Sequence, residues 1–326
     1  IPGGIGVTNP VDVSALRVPG AELKEAYRPV GLVWASLDLS SNFAIEGYYQ
    51  FEWEETVIDP PGTYFSTNDF AGRGGSHVFL AFASFPDTGE SPFFVQPPVD
   101  YPFMSVPRAA DREPEDGGQF GLALRIFAPS LGGTEFGLYY INYHSRLPTV
   151  NGITGTVAGA QAASAAGAAA ALRIYQYFGV PPGLSPQVDA AARQAASAAG
   201  LSAYAQTANY FIAYPEDIKL YGLSWNAQLG TSGIAFQGEV SYRQDAPYLV
   251  DDVELLFAAL SPINAGLAAV NQVVPGGAGF SEEILGYRLH DSSQLQFTFT
   301  KAWSRILGAD QGLLLLEPGF NWVFDM

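Results

Sequence analysis

Glu52 and Glu54 stand two residues apart in the stretch FAIEGYYQFEWEETV (43–57). On an extended strand such a pair shares one face with carboxyls about 6–7 Å apart, a spacing that suits acid–base cleavage of a glycosidic bond. Any strand with a polar face yields the same pair, so a polar wall is the first reading and a secreted, β-rich carbohydrate-active enzyme the alternative. His144-Ser145 invites comparison with a strand-borne base and nucleophile, but adjacent strand residues point to opposite faces and cannot serve each other. The three histidines, His77, His144 and His290, are widely separated and there is no cysteine, which argues against a metal centre and excludes disulfides. The acidic run Asp111, Glu113, Glu115, Asp116 is interrupted by Arg112 and lacks an EF-hand spacing, so it reads as a solvated loop. Glycine-rich GRGG (72–75) and PGGAG (275–279) do not link a strand to a helix in a phosphate-cradling pattern. No cofactor is implied, and no catalytic residues are assigned.

The elements that must position these residues are strands. From Phe43 to Trp53 every odd position is apolar, aromatic or glycine, while Glu46, Gln50, Glu52 and Glu54 occupy even ones. This period of two predicts two unlike faces, the odd one turned to lipid or to a soluble core. Segments 32–39 and 43–57, 119–129 and 134–146, 218–229 and 232–243, 293–306 and 311–324 pair around short Gly-, Ser-, Asn- and Asp-bearing turns. The intervening connections, 58–118, 147–217 and 244–292, are long. Short turns at one end and long loops at the other are the asymmetry of an outer-membrane barrel.

The chain is therefore expected to be all-β, a single antiparallel transmembrane β-barrel of outer-membrane type over residues 1–326, incomplete at both ends. Its polar face would line a hydrated lumen with Glu46, Glu52, Glu54, Arg125, Gln237, Glu239 and Arg243; a solvated sheet face is the plainer alternative. A net charge of −17 argues against nucleic acid, and 17 Tyr with 22 Phe suit β-structure with interfacial girdles.

Residues 156–209 break this style. Two alanine-rich arms around Val180-Pro181-Pro182-Gly183 predict a helical hairpin, with Ser185 as the second N-cap and Pro186 at its first helical position. Each arm of about 20 residues would reach about 30 Å. The hairpin either projects or folds inward as a plug, in which case Arg173 and Arg193 would meet the lumen carboxylates. A second helical pattern covers 251–272.

NPVDVSALRVPGAELKEA (9–26), YQFEWEETVIDPPGTYFSTNDF (49–70), TEFGLYYINYHSRLP (134–148), YPEDIKLYGLSWN (214–226) and QGEVSYR (237–243) resemble an exported Gram-negative family catalogued as domain of unknown function thirteen-oh-two. The resemblance implies an outer-membrane barrel contacting outer-membrane lipid. Its implied neighbours are a periplasmic lipid-carrier-like protein and a resistance-nodulation-division transporter. The function expected is a porin-like channel or conduit for a hydrophobic or lipid-like solute, gated by the hairpin; a non-conducting structural protein of the outer membrane is the rival within that class.

Overall fold

A computed structural model of the chain describes residues 4–80, 105–306 and 308–325. One large antiparallel sheet dominates it. Its strands are β1 (Leu32–Ser40), β2 (Phe43–Gln50), β5 (Gln119–Ala128), β6 (Thr134–Tyr143), β9 (Ile218–Gln228), β10 (Ile234–Leu249), β12 (Tyr287–Ile306), β13 (Ala309–Leu316) and β14 (Gly319–Val323). The spatial order is β1-β2-β5-β6-β9-β10-β12-β13, and β14 also pairs with β12. From β1 to β13 this is a meander in which each strand lies beside its predecessor in the sheet. All four hairpins expected from the sequence form, as β1–β2, β5–β6, β9–β10 and β12–β13. Leu307, in the last turn, lies outside the described residues, as does 81–104 of the first long connection. Among the described residues β1 and β13 do not pair with each other, so the sheet is not closed into a barrel.

The long connections fold together into a cap at one end of the sheet. Two small sheets belong to it: β3 (His77–Phe79) with β4 (Ser105–Pro107), and β7 (Thr149–Ile153) between β8 (Asn209–Ala213) and β11 (Glu283–Ile284). The apolar core sits here rather than on the large sheet. Trp53 from the first connection packs edge-on to Tyr214 from the second, 4.7 Å between centroids, within a cluster holding Val106, Ala205, Tyr210 and Ile212. Arg108 staples the first connection, its Nη1 donating to the carbonyls of Phe70, Gly72 and Gly75 while Nε and Nη2 grip Asp111. The acidic run is thus partly structural: Asp111 holds Arg108, and Asp116 accepts the Trp53 amide at 2.9 Å.

The helices are α1 (Leu23–Ala26), α2 (Val157–Phe178), α3 (Pro186–Ala205), α4 (Asp252–Leu260) and α5 (Ala265–Val270). The pattern at 251–272 therefore splits into two short helices, joined by a single turn of tighter helix over Ser261–Ile263. α2 and α3 form the expected hairpin. Ser185 caps α3 by accepting from Val188 N–H, with Pro186 following it. Close approach comes from small residues: a Cβ on Gly167 would lie 3.0 Å from the Ala196 carbonyl, and one on Gly200 3.1 Å from that of Ala163. The hairpin's base is held in the cap by Tyr204, which is fully buried and accepts from Gly155 N–H.

Strand β2 ends earlier than the alternation suggests. Gln50 is buried and turns its side-chain amide onto the Glu52 carbonyl, and the chain leaves the sheet. Glu52, Trp53 and Glu54 therefore belong to the cap side. Trp53, expected on the exposed odd face, is a core residue.

Candidate functional site

Following the register across the large sheet separates two faces of opposite character. One transverse row runs Leu37, Ile45, Leu124, Leu138, Leu223, Val240, Leu295, Phe320. The row on its cap side carries Leu122, Tyr140, Tyr221, Tyr242 and Trp322. On the opposite side lie Phe43, Ile126, Phe136, Trp225 and Phe297, and beyond them Phe236, Phe299 and Leu316. An aliphatic belt is thus flanked by two aromatic ones. Neighbouring rings touch within them: Tyr140–Tyr221 at 5.3 Å and Phe236–Phe299 at 4.8 Å. This apolar face is uncovered, with Leu37 64%, Leu122 53% and Ile45 43% exposed.

The other face is polar. One row holds Ser36, Glu46, Tyr139, Gly222, Ser241, Gln294 and Asn321; the next holds Asp38, Arg125, Ser224, Glu239 and Gln296. Gln237 follows one step on, beside Asn226 and Thr298. Arg125 and Glu46 form an ion pair at 2.7 Å, and Tyr139 and Ser224 share a hydrogen bond at 3.1 Å. A cavity of about 420 Å³ opens near the β1–β2 turn, lined by Asp38, Arg125, Glu135, Ser224 and Asn226 among others.

Of the residues singled out in the sequence, Glu46, Arg125, Gln237, Glu239 and Arg243 share this polar face. Glu52 and Glu54 do not. Glu52 accepts from Gly31 N–H, and Glu54 is paired with Arg28 at 3.2 Å and Arg73 at 3.8 Å. The two carboxylates are engaged with different partners. Arg173 and Arg193 are exposed on the hairpin and, among the described residues, form no ion pair with Glu46, Glu52, Glu54 or Glu239. The expected plug contacts are thus not formed among the described residues. The hairpin tip carries exposed Leu172, Tyr177, Phe178 and Leu184.

Instead, the segment Gly4–Pro10 lies across the polar face, an element the sequence did not announce. Ile5 N–H donates to Glu239 at 3.4 Å and Arg243 Nη2 donates to the Gly4 carbonyl at 2.8 Å. Thr8 hydrogen-bonds to the Tyr48 hydroxyl at 3.4 Å. The Ile5 side chain sits over Gly222, where a Cβ would come within 2.7 Å of it. That glycine, in an otherwise bulky strand, was the one local signal that something approaches closely there.

Where the polar face meets the cap, Arg146 is buried among neutral acceptors. It donates to the carbonyls of Val7 (3.2 Å) and Glu54 (2.9 Å) and to the side-chain oxygens of Gln50 (3.1 Å) and Gln119 (3.2 Å). Among the described residues no carboxylate pairs with it, and burial pushes its pKa down to about 10. His144 beside it is buried too; its Nε2 meets the Gly117 carbonyl at 2.8 Å and its Nδ1 accepts from Asp217 N–H at 3.1 Å. Ser145 Oγ donates to the Leu147 carbonyl. Both residues thus serve the sheet–cap junction. In the cap, Tyr214 donates to Glu55, which Arg73 also holds, and burial followed by the Glu55 carboxylate drives the Tyr214 pKa upward.

The motifs quoted above and a meander with one apolar and one polar face coincide with a family match along the entire chain. The chain belongs to the family described as Protein of unknown function (DUF1302), whose model matches residues 1–326. No curated protein and no solved structure matches it. For this DUF1302 chain, the geometry just described is accordingly the ground for a functional reading.

Proposed function

We propose that this chain forms the wall of an outer-membrane β-barrel that conducts a hydrophobic or lipid-like solute. The observation that carries the reading is the inversion of the large sheet: its uncovered face is the apolar one, and its polar face is the one crossed by the chain's own segment. A sheet in water turns its polar face outward. An aliphatic belt between two aromatic girdles, by contrast, is the lipid-facing surface of a transmembrane barrel, whose girdles lie at the two interfaces. From the Phe236 row to the Tyr49 row is four same-face steps, about 27 Å along the strands and about 20 Å along the membrane normal at a 40° tilt. That matches a thin outer-membrane hydrocarbon layer.

In this reading the short turns face the periplasm and the cap faces outward. Glu46, Arg125, Gln237, Glu239 and Arg243 line a hydrated interior. Transfer through the envelope would then call on a periplasmic lipid carrier and a resistance-nodulation-division transporter, as the family resemblance implies.

The test is reconstitution. Purified protein in phospholipid vesicles should make a fluorescent lipid-like solute accessible to a water-soluble quencher inside. A photolabel confined to the hydrocarbon should mark Leu37 to Phe320 and spare Glu46 and Glu239. Labelling of the polar face instead, or folding in buffer without detergent, refutes the reading.

A further inference from the structure

The Gly4–Ile5 peptide group is held at both its polar ends: its N–H donates to Glu239 and its carbonyl accepts from Arg243 Nη2. Between these two charges on β10 stands Ser241. A Cβ on Gly4 would fall 2.2 Å from the Ser241 hydroxyl and 2.9 Å from Gln294 Oε1, so only glycine fits. Yet three buried polar atoms at this spot have no partner among the described residues: Ser241 Oγ, Arg243 Nε and Ser292 Oγ. Ser241 is 1% and Ser292 4% exposed. Orphans of this kind are rare in a folded protein and call for an explanation.

Nε and Nη2 form one edge of a guanidinium. The Gly4 carbonyl brings a single oxygen to that edge, leaving Nε idle, whereas a carboxylate presents two and satisfies both. The two serine hydroxyls are further donors to an anion. The surroundings favour an apolar tail on it. The row through Arg243 contains Trp34, Tyr48, Ile141, Leu220 and Val323 on the same face. Beside Ile5 and Thr8 lies a cavity of about 170 Å³ bounded by Trp34, Tyr48, Tyr139 and Ile141. Of the carboxylates of this face, Glu46 is neutralised by Arg125, and Glu239 holds the N–H end of the same peptide group, flanking the subsite where it does not reach the Arg243 edge.

We propose that Arg243, Ser241 and Ser292 form a subsite for the head group of an amphipathic carboxylate, and that the Gly4–Ile5 segment occupies it as a built-in surrogate that such a ligand displaces. The carbonyl stands for one carboxylate oxygen and the Ile5 side chain for the start of the tail. This deepens the conduit reading by naming the solute class, and it assigns the gating role to the N-terminal segment instead of the helical hairpin.

The experiment measures binding by the whole chain in a non-ionic detergent, with dodecanoate as probe and dodecanol as the uncharged comparator. Two charge-assisted hydrogen bonds predict at least about 10-fold tighter binding of the acid. Arg243→Gln should erase that preference while leaving dodecanol binding as it was. Equal affinity for acid and alcohol in the unaltered protein overturns the proposal. The surrogate role is read separately in Gly4→Cys/Ser241→Cys. The chain has no other cysteine, and the built Gly4 Cβ lies 3.2 Å from Ser241 Cβ, close to disulfide range. Oxidation should lock the segment and weaken dodecanoate binding at least about 10-fold relative to the same double variant held under reductant. Failure of the disulfide to form, or binding indifferent to it, overturns the displacement. None of these readouts needs a membrane: loss of vesicle flux with binding intact would sink the conduit reading alone, and the reverse would sink the subsite alone.

Discussion

Ile45 and Tyr49 lie on the same face of β2 and are 43% and 46% exposed, so in water an arginine at either position would be nearly free. Surface substitutions of that kind usually stay within about 0.5 kcal/mol. Apart from the Gly118 N–H that the Tyr49 hydroxyl accepts at 3.3 Å, the two differ in where they fall relative to the aliphatic belt. Ile45 is in it; Tyr49 is four residues toward the cap, about 14 Å along the strand and about 10 Å along the normal at a 40° tilt. If the belt sits at the bilayer midplane, Ile45→Arg costs about 2–4 kcal/mol and Tyr49→Arg about 0–1 kcal/mol. Gln237→Arg, on the polar face, serves as a control and should cost less than about 1 kcal/mol, because the other face is hydrated in this reading. The assay is a reversible urea titration of protein folded into phospholipid vesicles, followed by tryptophan fluorescence. Equal small costs at Ile45 and Tyr49 would mean that the apolar face does not lie in hydrocarbon, and the argument from sheet inversion would fail.

At the junction, Arg146→Met removes the cation shared by Gln50, Gln119 and the carbonyls of Val7 and Glu54, and leaves four buried acceptors bare. A loss of about 3–5 kcal/mol is expected in chemical denaturation. Arg146→Lys should recover less than half of it, since a point cation lacks the planar fork. Trp53→Ala should cost about 3–5 kcal/mol of thermal stability through the cavity beside Tyr214. Phe51→Ala, at a side chain 55% exposed, should cost far less. The Arg112 guanidinium bonded to Glu283 holds that carboxyl below its ordinary value. A carboxylate lowered in the folded state stabilises fully above the unfolded value, near pH 4.5, and loses that contribution as pH falls through the folded value. Arg112→Gln should therefore flatten acid destabilisation of the cap below about pH 4.5, by less than about 1 kcal/mol because the pair is half exposed. Hydrogen exchange of the β7–β8–β11 amides across that range is the readout, and an unchanged profile would refute it.

What was legible in the sequence was whatever repeats locally. Period-two alternation, turn residues at 40–42, 130–133 and 230–231, and Ser185-Pro186 each carry their meaning within a few residues, and strands, hairpins and the α3 cap follow them. Alternation could not say where β2 stops. Phe51 and Trp53 continue its parity, but Gln50 folds onto the Glu52 carbonyl and Trp53 finds Tyr214, 161 residues away, as its neighbour. The same limit displaced Glu52 and Glu54 from the polar face: their parity was right and their strand had ended. Arg146 looked like any strand-end charge, because its four acceptors come from three separate parts of the chain. The Gly4–Pro10 segment has no periodicity at all, since it makes no ladder and is held by side chains of the sheet it crosses.

The two edges of the large sheet sharpen the membrane reading. Among the described residues β1, nine residues long, is paired on one side only, and β13 with β14 forms the other edge beyond β12. In hydrocarbon each unpaired backbone N–H or C=O costs several kcal/mol, so two open edges of this length would together cost on the order of tens of kcal/mol. A lone sheet with these edges bare is not viable in a bilayer, whatever its face chemistry. Nor is the edge blunted as in soluble sheets: Val33, Leu37 and Leu39 on β1, and Leu313 to Leu316 on β13, are exposed and apolar where a soluble edge would carry charge. On the proposed membrane reading, both edges of the described sheet must therefore be paired within the bilayer.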